Sequence, residues 1–385
     1  MSEIAHPFVT NQPDVLHWLN SHLHSLPFYA SVDIRYAGFK IAVVDHNLFP
    51  AGFNNLSHIH RCQTVNAFQT ALNHYKIYGQ NLVLLCETHT RNTWYLENIR
   101  VLADLIQAAD FRVTISMILP DSNQAIECLT ATRQTITIHP FHTLQTYDAI
   151  ILNNDLTSGI PDSLAHASVP IIPSVRAGWH SRLKSEHFSI ANQLIQTIAH
   201  KLSVDPWLYS TLFDVADIHS INDAESRQSL YQKACALFAN IQEKYTEYSI
   251  EQRPFIFLKS DQGTYGMGIQ VIEHPDEILS LNRKSRNTLS KGKSAKPIQR
   301  LLLQEGVPSI QINNGKTAEA CIYSVMNHCI GGFYRLHEHE SRNNLNKTGM
   351  TFGPIDDMPT DLYQLHVTLA QVANVAAAHE LAAIA

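Results

Sequence analysis

No stretch of this 385-residue chain is apolar for long enough to span a bilayer, and residues 1–20 lack the basic start and apolar core of a signal peptide. No basic stripe dominates. There are 28 Lys and Arg against 34 Asp and Glu, and a net charge of −6 argues against a nucleic-acid partner. The one basic stretch, residues 283–296, reads as a solvated helix and loop. The six cysteines (Cys62, Cys86, Cys128, Cys235, Cys321 and Cys329) form no C-x-x-C pair. Scattered in a chain of this size, they imply reduced thiols and a cytoplasmic home. Two common nucleotide signatures are also missing. The only Gly-Lys-Ser, Gly292-Lys293-Ser294, has Asn287 where a Walker loop needs its first glycine, and no G-x-G-x-x-G occurs. Internal repeats, coiled-coil heptads and low-complexity tracts are absent too.

What is present is an ordinary globular composition, 45% hydrophobic and 16% charged, in a chain too long for one compact core. Short apolar or alternating runs at 35–48, 81–87, 111–118 and 147–153 are separated by helical spacing at 61–78 and 95–108. That alternation predicts a mostly parallel sheet with helices on its faces and ligands at the carboxyl ends of its strands. Residues 170–173, bounded by two prolines, mark a boundary; a helical region follows to about 250, nucleotide motifs occupy 254–350, and 360–385 is an alanine-rich helix. The expected division is 1–173, 174–253 and 254–385. Histidine is frequent, at 22 residues, and the pairs His22/His24, His58/His60 and His337/His339 would each share a strand face, but a third zinc ligand at a sensible spacing is missing.

The chemistry concentrates near the third segment. Phe255-Ile-Phe-Leu-Lys259 reads as a strand ending in a lysine, followed by Gly263, Thr264, Tyr265, Gly266 and Gly268 in a loop with three glycines in six residues. Such a loop lets backbone N–H groups approach a polyphosphate, with the lysine as a fixed charge; it is equally compatible with a glycine-rich hairpin. Leu301-Leu-Leu-Gln304-Glu305 is a second strand whose polar exit can serve an adenine edge and a ribose. Strand-like alternation follows at 318–326, then Gly332-Phe-Tyr-Arg335, with Arg335 suited to phosphate. Glu340 and Asn344 place a carboxylate and a carboxamide four residues apart, hard oxygen donors of the kind that suit Mg²⁺.

In this order the pieces resemble the ATP-grasp ligases, whose pattern is a Lys-x-x-x-Gly-x-x-Gly loop, a Gln-Glu hinge strand and a distal Glu-x-Arg-x-Asn-Leu metal motif, filled here by Glu340, Arg342, Asn344 and Leu345. Glutathione synthetase carries the same distal motif. A closer resemblance spans nearly the whole chain. Asp33-Ile-Arg35-Tyr-Ala-Gly38-Phe-Lys40, Asp45-His-Asn47 through Asn54-Asn55-Leu56, and His89-Thr90-Arg91-Asn92 look like a proteobacterial type of glutamate–cysteine ligase. The resemblance implies an α/β ATP-grasp architecture with an N-terminal α/β substrate domain. It also implies ATP-dependent joining of the γ-carboxylate of L-glutamate to L-cysteine through an acyl phosphate. ATP and Mg²⁺ are the implied cofactors, and the partners are small molecules rather than nucleic acid or membrane, with a homo-oligomer left open.

The roles implied are Lys259, Arg335 and Arg342 in catalysis, and Lys184 as a second phosphate lysine from the preceding lobe. Glu319 joins Glu340 and Asn344 as a metal ligand, and Gln304 and Glu305 serve the adenosine. For the amino acids, Arg35 and Arg91 are candidates to hold a carboxylate, with Asn54, Asn55 and Asn154 as amide donors, and Asp33, Asp45 and Asp155 to hold an ammonium. Asn and Asp also belong naturally in turns. Two other readings stay open: another ADP-forming carboxylate–amine ligase, and a non-catalytic nucleotide-binding protein.

Overall fold

The computed structural model describes residues 3–22, 26–119, 124–142, 146–263, 268–290, 298–337 and 350–384. Two strands near the start, β1 (Tyr29–Tyr36) and β2 (Ile41–Asn47), form an antiparallel hairpin. The run at 35–48, expected among parallel strands, is therefore one limb of a hairpin and its turn. Gly38 takes φ +86° in that turn, and the Ala37 N–H donates to the Lys40 carbonyl (2.7 Å).

The parallel sheet comes next, from β3 (Asn81–Cys86), β4 (Arg112–Met117), β5 (Ile126–Leu129), β6 (Thr135–Pro140), β7 (Ala149–Asn153) and β8 (Ile171–Ile172). Its order is β5-β6-β4-β3-β7-β8, parallel except for the β5–β6 pair. Residues 82–86 of the central β3 are buried throughout, the continuous apolar run of a strand covered on both faces.

An antiparallel sheet follows, built from β9 (Phe213–Asp217), β10 (Ile256–Ser260), β11 (Gln270–Ile272) and β12 (Arg300–Glu305) in the order β11-β10-β12-β9. The last strands, β13 (Ile312–Asn313), β14 (Lys316–Val325), β15 (His328–His337) and β16 (Thr351–Pro354), return to the first hairpin and give the order β16-β15-β14-β1-β2.

The helices among the described residues are α1 (His6–Thr10), α2 (Gln12–Ser21), α3 (His58–His74), α4 (Thr93–Ala108), α5 (Asp162–Ala165), α6 (Lys184–Leu202), α7 (Ala224–Glu247), α8 (Arg283–Ser290) and α9 (Thr360–Ile384). None is long and apolar enough to cross a membrane. Leu365, Leu369, Ala370 and Ala373 of α9 bury against Ile34, Ile41 and Ile322 of the β14-β1-β2 sheet, and the small alanines let helix and sheet approach closely. His58 and His60 begin a helix rather than lie on a strand, so they do not share a face.

Candidate active site

One cavity of about 350 Å³ lies between the two antiparallel sheets and is closed by the start of α4. Its cationic wall starts with β10. Lys259 is buried there, and its Nζ donates to the Val44 carbonyl (3.0 Å) across the gap to β2. Lys184 is the first residue of α6; its Nζ bonds Asp45 Oδ1 and lies 4.9 Å from the centre of the Trp179 ring.

These two lysines are tied together by a residue the sequence reading passed over. Asp261, just beyond β10 and fully buried, accepts from Ser185 N (2.7 Å) and Ser185 Oγ (2.6 Å), while its carbonyl accepts from Lys184 N (2.8 Å). A carboxylate at a helix start satisfies orphan N–H groups and complements the helix dipole. Behind α6, the fully buried Arg182 makes a two-point pair with Glu380 of α9 (2.7 and 2.9 Å).

Burial pushes the Lys259 ammonium down to about 7, and Lys184 and Arg35 push the same way against Asp45 and Asp33. Asp45 responds oppositely: burial raises it, but Lys184 and Lys259 outweigh that and bring it down to about 2.

The facing wall is a ladder of alternating charge. Asp33 and Arg35 project from one face of β1, and Glu319 on β14 sits directly opposite Arg335 on β15. Arg35 Nε and Arg335 Nη1 both bond Glu319, and Arg335 Nη1 also donates to Asp33 Oδ2 (2.9 Å). Burial alone would raise Glu319, yet the two guanidinium groups hold it below the usual carboxylate range. The third wall carries Asn47, Asn54, Asn55, Asn92 and Asn98, with aromatic neighbours Trp94, Tyr95 and Tyr323.

Of the residues expected at a site, Lys184, Lys259, Gly263, Asp33, Arg35, Asp45, Asn54, Asn55, Glu319 and Arg335 border this cavity. A Cβ at Gly263 would run into the Trp179 indole, so the glycine loop leaves β10 against that ring. Gly268 takes φ +75° at the other end of the loop. Thr264, Tyr265, Gly266, Glu340, Arg342 and Asn344 lie outside the described residues.

Arg91, Asn154, Asp155, Gln304 and Glu305 sit away from the cavity wall. Asp155 Oδ1 accepts from Thr157 N (3.1 Å) and Thr157 Oγ1 (2.7 Å). Arg91 is exposed in the turn before α4, and Asn154 closes a turn by accepting from Leu156 N (3.0 Å). Gln304 donates to Thr211 Oγ1 (2.9 Å). Glu305, fully buried, accepts from Lys40 Nζ (2.6 Å), Trp207 Nε1 (3.0 Å) and Leu212 N (2.8 Å), so both its oxygens are engaged. Asp261, Trp179 and Asn98 carried no motif. Only Asp261, two residues past Lys259, stood within a stretch already singled out.

Two antiparallel sheets set two lysines against a ladder of arginines and carboxylates, the cleft of an ATP-dependent ligase that joins a carboxylate to an amine. The family model described as GshA, glutamate-cysteine ligase, matches residues 6–381, and the chain belongs to that family. It is similar to a solved structure from Methylobacillus flagellatus KT, provisionally named a gamma-glutamylcysteine synthetase. The two share 33% identity over 99% of this chain and 96% of that one, with a TM-score of 0.91. Fainter likenesses reach D-alanyl-alanine synthetase A from Vibrio cholerae O1 (12% identity, 76% of this chain and 79% of that chain, TM-score 0.36). A glutathione synthetase-like effector from Globodera pallida is comparable (10% identity, 91% and 79%, TM-score 0.39). Neither carries weight in the assignment. The comparison with curated proteins yields no match.

Proposed function

We propose that the protein joins the γ-carboxylate of L-glutamate to the amine of L-cysteine through an acyl phosphate, releasing ADP and phosphate. The observation that supports this most is the pairing of Lys184 and Lys259 around Asp45 on one cavity wall. Two lysines on rigid elements suit a polyphosphate, Lys184 held by Asp45 and Lys259 by the Val44 carbonyl until the nucleotide arrives. A carboxylate does not acylate an amine in water, because its leaving group is poor. Transfer of the γ-phosphoryl to the glutamate oxygen breaks the bond to ADP and makes that oxygen part of a good leaving group. The amine then attacks the carbonyl carbon, and phosphate departs with the oxygen. The protein's part is positioning and charge: Lys184, Lys259 and Arg335 offset the negative charge that moves between oxygens.

Mg²⁺ fits the donor set. Oxygens of Asp33 and Glu319 lie within 4.8 Å of each other and of the Cys321 sulfur, and hard carboxylates suit this ion where a thiol does not. Glu319 would hold it with Glu340 and Asn344, and Arg342 would act beside them. Bound there, the ion would supply positive charge for the nucleotide phosphates. Gln304 and Glu305 we assign to the adenosine end through the strand they terminate rather than through free side chains. The segments 1–173, 174–253 and 254–385 are our proposed lobes, and the six free cysteines support a cytoplasmic home.

Isotope transfer tests the mechanism. Glutamate labelled with ¹⁸O in its γ-carboxylate should pass one labelled oxygen to inorganic phosphate per product formed. Unlabelled phosphate from a productive reaction would exclude the acyl phosphate.

A further inference from the structure

The asparagines on the third wall share an orientation. Asn98, 1% exposed, accepts through Oδ1 from the N–H groups of Gly52 (2.8 Å) and Phe53 (3.0 Å). Asn47 Oδ1 accepts from Phe49 N (3.0 Å), and Asn92 Oδ1 accepts from Tyr95 N (3.1 Å) as the cap of α4. Asn55 Oδ1 accepts from Asn54 Nδ2 (3.1 Å). A backbone N–H can only donate, so for Asn47, Asn92 and Asn98 the amide cannot be flipped. Each of these three side chains has its oxygen used by the protein, and its NH₂ group makes no hydrogen bond among the described residues. The Asn98 Nδ2 is buried and unpartnered among the described residues.

A buried donor without an acceptor is costly unless something occupies the site. The acids bordering the cavity, Asp33, Asp45 and Glu319, are held by Arg335, Lys184 and Arg35 on the other walls. The asparagine wall is thus rich in donors and carries no charge of its own. It begins at the positive end of the 16-residue helix α4.

We infer that this wall is the subsite for a free α-carboxylate of an amino-acid substrate, with Asn98 Nδ2 as its central donor and Asn92, Asn47 and Asn55 around it. The inference rests on the ligase reading and deepens it. A ligase with two amino-acid substrates has to hold each non-reacting carboxylate away from the phosphoryl group, or the wrong carboxyl is activated. Carboxamides bind it without adding a cation that would compete with the lysines for phosphate. The shared chemistry is an α-carboxylate, and kinetics distinguish whether it is that of glutamate or cysteine.

Asn98→Asp and Asn92→Asp give a clean test. Aspartate keeps the oxygen that holds the 52–53 turn or caps α4, and it caps a helix as well as asparagine does. It replaces the NH₂ donor with a negative oxygen. In each variant KM for one amino acid should rise roughly 10- to 100-fold while KM for ATP holds. The melting temperature should hold for Asn92→Asp, at an exposed position, and fall for Asn98→Asp, which buries a carboxylate. The α-amide analogue of the affected amino acid should bind Asn98→Asp better than the wild type, because aspartate can accept from it. Calorimetric titration of each amino acid alone gives the same comparison without turnover, and wild-type ADP release with glutamate and cysteine tests the ligase reading separately. Unchanged affinities for both amino acids in both folded variants would overturn the subsite. So would losses that fall equally on ATP.

Discussion

Among the described residues, Lys259 donates to a backbone carbonyl rather than to a carboxylate, and its burial governs its titration. Burial takes its pKa from 10.5 to about 7, so at pH 8 the empty site holds mostly neutral amine. The folded state then binds fewer protons than the unfolded one between pH 7 and 10.5. The lysine therefore costs stability below pH 7, and that cost fades as pH rises through the window. ATP phosphates favour the charged form. Nucleotide binding at pH 8 should accordingly take up a fraction of a proton, read as a dependence of binding enthalpy on the buffer's ionisation enthalpy. Lys259→Met should abolish that uptake and lower turnover by roughly 10²-fold or more, as single-donor deletions do. Buffer-independent enthalpies in the wild type would show that Lys259 is already charged or does not meet the phosphates.

At the scale of elements, the tip of the β1–β2 hairpin is pegged into the sheet that carries Lys259. Lys40 is 1% exposed, lies 4.0 Å from the centre of the Trp207 ring and bonds Glu305 at the end of β12. Removing one partner leaves a buried charge alone, so Lys40→Met should destabilise the protein by about 3–5 kcal/mol in denaturant titrations. Pairing it with Glu305→Gln should recover part of that loss. A double variant no better than the single would mean that the peg's packing outweighs its charge. The strands themselves were legible: β3, β10, β12 and β15 stand where apolar runs and alternation placed them. The hairpin's partner was not, since β1 pairs with β14, whose residues lie nearly 300 positions away, and local periodicity carries no record of that. Glu305 shows the same limit. Its position beside Gln304 suggested a nucleotide contact, but the side chain faces Lys40, a residue no nearby motif linked to it.

Over the whole molecule, the cavity takes residues from both antiparallel sheets and from α4, and this is why the sequence revealed its ends better than its middle. Lys259 and Arg335 stand out because a lysine closing a strand and an arginine following paired glycines are chemically conspicuous. Asn98 lies mid-helix among buried apolar neighbours, and only folding brings it under the 52–53 turn. Arg91 looked like a carboxylate ligand beside Asn92, yet the chain turns it outward while Asn92 faces the cavity. The reaction proposed for this one site is γ-linked ligation of glutamate to cysteine. Mass spectrometry of the product formed from glutamate, cysteine, ATP and Mg²⁺ tests it most directly. The expected product is a dipeptide joined through the glutamate γ-carboxyl, with a free cysteine thiol and one ADP per product. An α-linked dipeptide, a thioester, or ADP release with no joined product would contradict it.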